Sequence, residues 1–295
     1  MRIGLCIEER GRTWSELLSD ARTAAADGFG AIWLGQRDSW DALTALAVLG
    51  AEVPGIRLGT AIVPTYPRHP LALAAQALTV QGVTGGRLDL GIGPSHRVIV
   101  EEQFGYSFDK PARHVREYLT ALRPLLRGDS VDHRGAALRA TGRVDVPAAP
   151  PGLLVSALGP VMLRIAGELA DGTITLWAGP RALDEHIVPT ISAVAEQPRV
   201  VAVVSVCVTS EVDDARVRFA EELSVAGELP AYRAMLDRQG LAGPEDVAVL
   251  GDEVAVERSL RRFVEAGATE LVAVPFGTAA EQERTREVLA ALNSR

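Results

Sequence analysis

Lysine is nearly missing from this 295-residue chain, with Lys110 the visible case. That weakens any Schiff-base chemistry. No P-loop lysine, HExxH or GxSxG pattern is present either, so a hydrolytic mechanism lacks parts. Cysteine is as scarce: Cys6 and Cys207 lie in separate apolar runs, with no CxxC spacing and no His/Cys cluster. A disulfide scaffold or a structural metal site is therefore not expected, and a reducing compartment is. Positive charge is not in surplus. The formal net charge of −8 argues against nucleic acid held by a general basic surface, though a local basic patch could still hold an anion. No stretch approaches the roughly 18 uncharged apolar residues of a membrane span, and the apolar run in MRIGLCIEERGR is too short for a signal peptide. The expectation is a soluble, cytoplasmic chain that does not engage membranes.

What is present is a regular alternation. Hydrophobic residues make up 47% of the chain, enough for a sizeable core. Apolar runs at 2–7, 30–35, 56–63, 87–93, 153–158, 172–177, 199–208 and 269–275 read as strands. Amphipathic stretches at 14–28, 41–53, 71–83, 111–127, 160–170, 180–196, 212–226, 229–239, 253–267 and 278–293 read as helices, with Asp41 placed to cap the second. Residues 129–147 break the rhythm as a hairpin or loop excursion, and 244–252 reads as a connector. Strands that are continuous apolar runs are covered on both faces, which means parallel strands flanked by helices. Eight such units in one domain spanning 1–295 predict an α/β fold, a (β/α)8 TIM barrel with an excursion region. An open doubly wound sheet is the alternative, lowered by the absence of GxGxxG after the first strand.

In a barrel, chemistry sits at the C-terminal ends of the strands. Those ends collect Gly35, Gln36, Arg37, Asp38 and Trp40; Thr60 to Ile62, Thr65, Tyr66, Arg68 and His69; Gly91, Gly93, Ser95, His96 and Arg97; Ser156 to Gly159; Trp177; and Phe276 and Gly277. His96 follows a Gly-x-Gly-Pro-Ser turn that brings backbone close to a ligand. His114, His133 and His186 fall on helices or on the excursion. Gly159 and Pro160 open a helix whose free N–H groups and dipole suit an anion, phosphate above all, although an ordinary helix start reads the same way. The carboxylates form no plausible catalytic pair and no metal-ligand cluster exists. A pocket of Trp, Tyr, Phe, Gln, His and Arg beside an anion site suits an aromatic cofactor that brings its own chemistry.

The blocks GAIWLGQ, IRLGTAIVPTYPRHPLALAAQALTV, GGRLDLGIGPSH, FGYSFDKPARHVREYL and LRIAGELADGTITLW, in this order, resemble the luciferase-like monooxygenases, and among them the coenzyme F420-dependent oxidoreductases. The resemblance implies a (β/α)8 barrel and a deazaflavin cofactor, with FMN as the alternative. It implies a cis peptide at Ala61–Ile62 behind the ring. It implies a backbone cradle for the cofactor phosphate at Ala157, Leu158 and Gly159, and it places Gly35, Gly93 and Trp177 along the ring or its side chain. Where many relatives carry Asp-His after the second strand, this chain has Gly35–Gln36. Where some carry a glutamate after the GxG turn, it has Pro94. The sugar-phosphate dehydrogenase substrate therefore does not carry over. The expected roles are proton transfer for His96, a hydrogen bond to substrate or ring edge for Gln36, and a pocket wall for Trp40. The expected partner is a small organic substrate, and a homodimer is possible. An FMN-dependent monooxygenase and a non-catalytic flavin-binding protein stay open beside this reading.

Overall fold

The computed structural model describes residues 1–293. Eight parallel strands close on themselves: β1 (Ile3–Cys6), β2 (Ala31–Leu34), β3 (Arg57–Thr60), β4 (Leu88–Gly93), β5 (Gly152–Ser156), β6 (Gly172–Leu176), β7 (Arg199–Val208) and β8 (Glu270–Pro275). Each pairs with its neighbour in sequence, and β8 returns to β1 with Ile3 opposite Leu271. Strand count alone leaves closure open; this last pairing makes the fold a (β/α)8 barrel.

The helices begin where the sequence places its caps. Thr13 accepts the Glu16 N–H while the Glu16 carboxylate takes the Thr13 N–H at 2.7 Å, starting helix Trp14–Ala26. Asp41 accepts from Thr44 N at 2.9 Å to start Ala42–Glu52, a contact worth about 1 kcal/mol. Helices Pro111–Leu126 and Pro160–Leu169 open on proline, whose missing N–H costs nothing at that position. No helix among the described residues is long and apolar enough to cross a membrane.

Inside the barrel, Trp33 of β2 is fully buried beside Ala31, Leu154, Ile174, Val201 and Val272. Glycine on the neighbouring strands makes room for it. A Cβ at Gly59 would overlap the indole, and one at Gly4 would lie 2.6 Å from Trp33 Nε1. At the N-terminal end of the barrel the plug is charged. Buried Asp89 pairs with Arg57 and, at 2.6 Å, with Arg199, which also reaches Glu270 at 3.1 Å. A buried charge persists only when paired in this way.

The structure departs from the sequence reading in three places. The third strand stops at Thr60; after the cis Ala61–Ile62 bond, the two-residue strand Val63–Pro64 pairs with β4 instead. The helix expected over 180–196 is broken into Pro180–Ala182, a π turn at Leu183–Ile187, and Val188–Ser192. The 244–252 connector contains strand Val249–Gly251, parallel to β7. The excursion, of the two forms expected, is a hairpin, Val131–Arg134 against Arg139–Gly142.

Candidate active site

The β2–β3 side of the barrel mouth is a closed network. Buried Glu9 accepts two bonds from Arg37, 2.8 Å to Nε and 2.7 Å to Nη2, and Glu8 accepts a third at 2.7 Å. Burial works against the Arg37 charge, but the bonds to Glu9 and Glu8 outweigh it and hold the guanidinium firmly protonated. The Gln36 amide is equally occupied. Its oxygen accepts from Ala42 N at 2.8 Å and from Arg68 at 3.4 Å, and its nitrogen donates to Arg37 O at 3.2 Å. Arg68 pairs with Asp41. The cis segment hangs on the same frame: Ala61 N donates to Leu34 O at 2.8 Å and Gln36 N to Ile62 O at 3.2 Å. Cys6, like Ala61 and Ile62, packs against the cluster around Trp33, and burial pushes its thiol up to about 12, so it stays protonated and unreactive.

The β4–β6 side is built from aromatic edges. His96 meets Tyr232 edge-on with ring centroids 4.9 Å apart, and Tyr232 meets Trp177 edge-on at 4.7 Å. Three segments distant in sequence thus form one wall: the β4 loop, the end of β6, and helix Pro230–Gln239. Ser95 and Trp177 adopt left-handed backbone, φ 64° and 56°, a conformation few non-glycine residues take. Buried Gln239 holds the Trp177 turn, donating to Trp177 O at 2.9 Å and accepting from Gly179 N at 2.7 Å. Among the described residues neither His96 nitrogen nor the Tyr232 hydroxyl has a hydrogen-bond partner. Burial lowers the His96 pKa, so its ring is neutral near pH 7; burial raises the Tyr232 hydroxyl to about 12, so it remains a donor.

Between these sides lies a backbone cradle. Carbonyls at the end of β5 are held from behind: Thr173 donates to Ala157 O at 3.3 Å, and His186 bonds Leu158 O at 2.8 Å from the π turn. The N–H groups of Ala157, Leu158 and Gly159 donate to no acceptor among the described residues, and no side chain caps helix Pro160–Leu169. A Cβ at Gly93 would overlap Ser156 Oγ and lie 3.2 Å from Ile62 Cδ1, so β4, β5 and the cis segment converge here. Unpaired N–H groups at the start of a ten-residue helix, beside an apolar floor, fit a flat ring carrying an anionic side chain.

A profile of the luciferase-like monooxygenase family matches residues 1–282. The chain belongs to that family. It is 30% identical over 202 residues to Rv3520c of Mycobacterium tuberculosis, named as a coenzyme F420-dependent oxidoreductase. That alignment covers 61% of this chain and only 57% of the relative. It is 28% identical over 243 residues to the 5,10-methylenetetrahydromethanopterin reductase of Methanolobus tindarius, covering 80% of this chain and 74% of that one. Its fold matches the coenzyme F420-dependent tetrahydromethanopterin reductase of Methanopyrus kandleri with a TM-score of 0.81 at 21% identity, over 98% of this chain and 97% of the other.

Within this luciferase-like barrel the residues singled out from sequence separate into two groups. Ala61, Ile62 and Gly93 gather at the convergence of β3 and β4, Ala157 to Gly159 form the cradle, and His96 and Trp177 join through Tyr232. Gly35 stands 3.7 Å, by its missing Cβ, from Ala61 O, an ordinary contact that leaves space rather than relieving a clash. Trp40 departs from the expected wall. Its indole packs on Trp14 with centroids 5.9 Å apart and donates to Arg12 O at 2.9 Å, which pins the β1 and β2 loops together. Gln36 departs as well, because its oxygen is filled by Ala42 and Arg68 and only one amide hydrogen is left for a ligand.

Four contributors escaped the sequence reading: Tyr232, Gln239, His186 and His114. His114 stacks on Tyr66 at 3.8 Å and bonds Thr65 Oγ1 at 3.0 Å beside the β4 mouth. Burial drives its pKa down to about 4. Each reaches the mouth from a helix or π turn, so no motif around it in the chain announces the role.

Proposed function

We propose that this chain is a coenzyme F420-dependent oxidoreductase acting on a small organic substrate. The observation that carries this reading is the cradle of unpaired N–H groups at Ala157, Leu158 and Gly159, set beside the floor of Ile62 and Gly93. The named oxidoreductase and reductase relatives support it. When bound, the deazaflavin supplies a two-electron hydride carrier.

The protein's own part is to hold and orient. The cradle takes the anionic side chain through backbone donors and the dipole of helix Pro160–Leu169. Ile62, Gly93 and Gly35 leave room for a planar ring, and Trp177 with Tyr232 walls the substrate side and keeps water out. His96, neutral and unpartnered, takes or returns a proton at a ring nitrogen as charge develops on the substrate. The Tyr232 hydroxyl donates a hydrogen bond nearby.

Titration of the purified protein with coenzyme F420 and with FMN, followed by calorimetry, tests the reading. The expected result is saturable binding of the deazaflavin and much weaker binding of FMN. Tight binding of FMN alone points to a flavin-dependent monooxygenase and overturns the choice. Binding of F420 without redox turnover across ketone, alcohol and alkene panels points to a carrier.

A further inference from the structure

Outside the barrel mouth lies a cleft of about 340 Å³, bounded by Arg181, Arg216, Arg262, Gln239, Ser259 and Phe263. We propose that it binds a small organic carboxylate with an apolar body, and that its occupancy is felt at Trp177 through Gln239.

The chemistry of the lining points to that class. Three guanidinium groups and the Ser259 hydroxyl are donors, and Ser259 and Arg262 stand three apart on one helix, hence on one face. Asp246 is the lone carboxylate, and it is already engaged by Arg216 at 3.3 Å and by Ala242 N at 3.0 Å. Two of the arginines are fixed by backbone carbonyls, and each is also paired with a carboxylate, Arg181 with Glu185 at 3.8 Å and Arg216 with Asp246 at 3.3 Å. Arg181 donates to Gln239 O at 2.6 Å, and Arg216 donates to Glu245 O at 3.0 Å. The Arg262 guanidinium has no partner among the described residues. Against the Asp246 and Glu185 carboxylates the three guanidinium groups leave one positive charge over, that of Arg262, in a chain whose formal net charge is −8. Leu241, Val247, Val249, Leu250 and Phe263 supply an apolar surface, which an inorganic anion would leave unused. Cations already held in position cost a ligand less ordering on binding.

The coupling follows from one side chain. Gln239 lines the cleft, and the same amide bonds Trp177 O and Gly179 N, while Arg181 bonds the Gln239 carbonyl. A ligand that draws Arg181 or shifts Gln239 therefore acts on the turn that carries Trp177. The effect must be reciprocal: whatever fixes Trp177 also alters affinity in the cleft.

Benzoate is the probe, measured by calorimetry and by tryptophan emission on the full chain, with inorganic phosphate and benzyl alcohol as controls for charge alone and apolar body alone. Saturable benzoate binding is expected, with both controls weaker. Arg262→Ala should weaken benzoate about tenfold, the usual effect of losing one charged hydrogen bond, without lowering the melting temperature. The emission change should vanish in Trp177→Phe. No saturable binding, unchanged affinity in Arg262→Ala, or benzyl alcohol binding as well as benzoate overturns the carboxylate site. Phosphate binding more tightly than benzoate overturns the requirement for an apolar body. Binding that leaves Trp177 emission unmoved overturns the coupling. Repeating the titration on protein preloaded with the deazaflavin separates the cleft from the mouth: benzoate binding that persists supports a separate site, and its abolition makes the cleft part of the cofactor site and overturns this one.

Discussion

The two sides of the barrel mouth handle their polar groups in opposite ways. On the β2–β3 side Glu9, Arg37, Gln36, Arg68 and Asp41 bond one another or the backbone until little capacity is left. On the β4–β6 side the N–H groups of buried Ala157, half-buried Leu158 and exposed Gly159, with half-buried His96 and Tyr232, have no partner among the described residues. Polar groups shielded from water are nearly always paired in folded proteins, so an unpaired set at the mouth leaves hydrogen-bonding capacity open to a ligand. A saturated network sets shape, while an unsaturated one is available for binding and chemistry.

The largest effects should separate these two roles. Glu9→Ala leaves Arg37 without its buried partner and should cost about 3 kcal/mol of stability, the low end for such a loss because Arg37 can turn toward water. Urea unfolding checks it, and a midpoint unchanged from wild type would show that the network is not structural. His96→Ala should do the reverse. It should lower turnover about 100-fold, the ordinary contribution of a general acid or base, with deazaflavin affinity and unfolding midpoint close to wild type. If turnover survives, His96 leaves the mechanism and the Tyr232 hydroxyl becomes the next donor to test.

The contrast also explains what could be read from the chain. All eight strands were legible because each is an apolar run with covered faces, and Asp41 was legible as a cap because capping is local. The cradle's geometry was half legible: Gly159–Pro160 announces a helix start, but whether its N–H groups are paired depends on what surrounds them. Gln36 was expected to bond the substrate or ring edge because its actual partners lie elsewhere, Ala42 across a loop and Arg68 thirty-two residues away. Tyr232 could not be found at all. Nothing about a tyrosine on an ordinary amphipathic helix tells that it will bridge His96 and Trp177, since that contact is created by tertiary closure. Trp40 misled for the same reason: Trp14, not the pocket, is its neighbour.

A smaller effect probes the cradle from within. At Gly159 the backbone is extended, φ −87°, and an added Cβ meets nothing within 4 Å, so aspartate is tolerated there. As an N-cap it should stabilise helix Pro160–Leu169 by a few tenths of a kcal/mol, roughly the usual difference from glycine. The same carboxylate competes with and repels an incoming anion, so deazaflavin affinity should fall about tenfold. A variant that melts slightly higher but binds more weakly would separate shape from binding at a single residue. Equal affinity in Gly159→Asp would move the cofactor's anionic group elsewhere.

The last predicted effect is a dependence on pH. His114 titrates near 6.5 when unfolded and near 4 when folded, because burial against Tyr66 disfavours its charge. Between those values the unfolded chain binds the extra proton. Stability is therefore full above about pH 6.5, falls as the pH drops toward about 4, and flattens below it for this group. His96, also lowered by burial, adds to the same slope. His114→Phe keeps the stack on Tyr66 but has nothing to protonate, so its unfolding midpoint should decline less than wild type between pH 6.5 and 4, even if the loss of the Thr65 bond lowers the whole curve. Parallel curves for the two proteins would mean that His114 carries its ordinary pKa in the fold. The aromatic pocket beside β4 would then be wetter than its packing indicates.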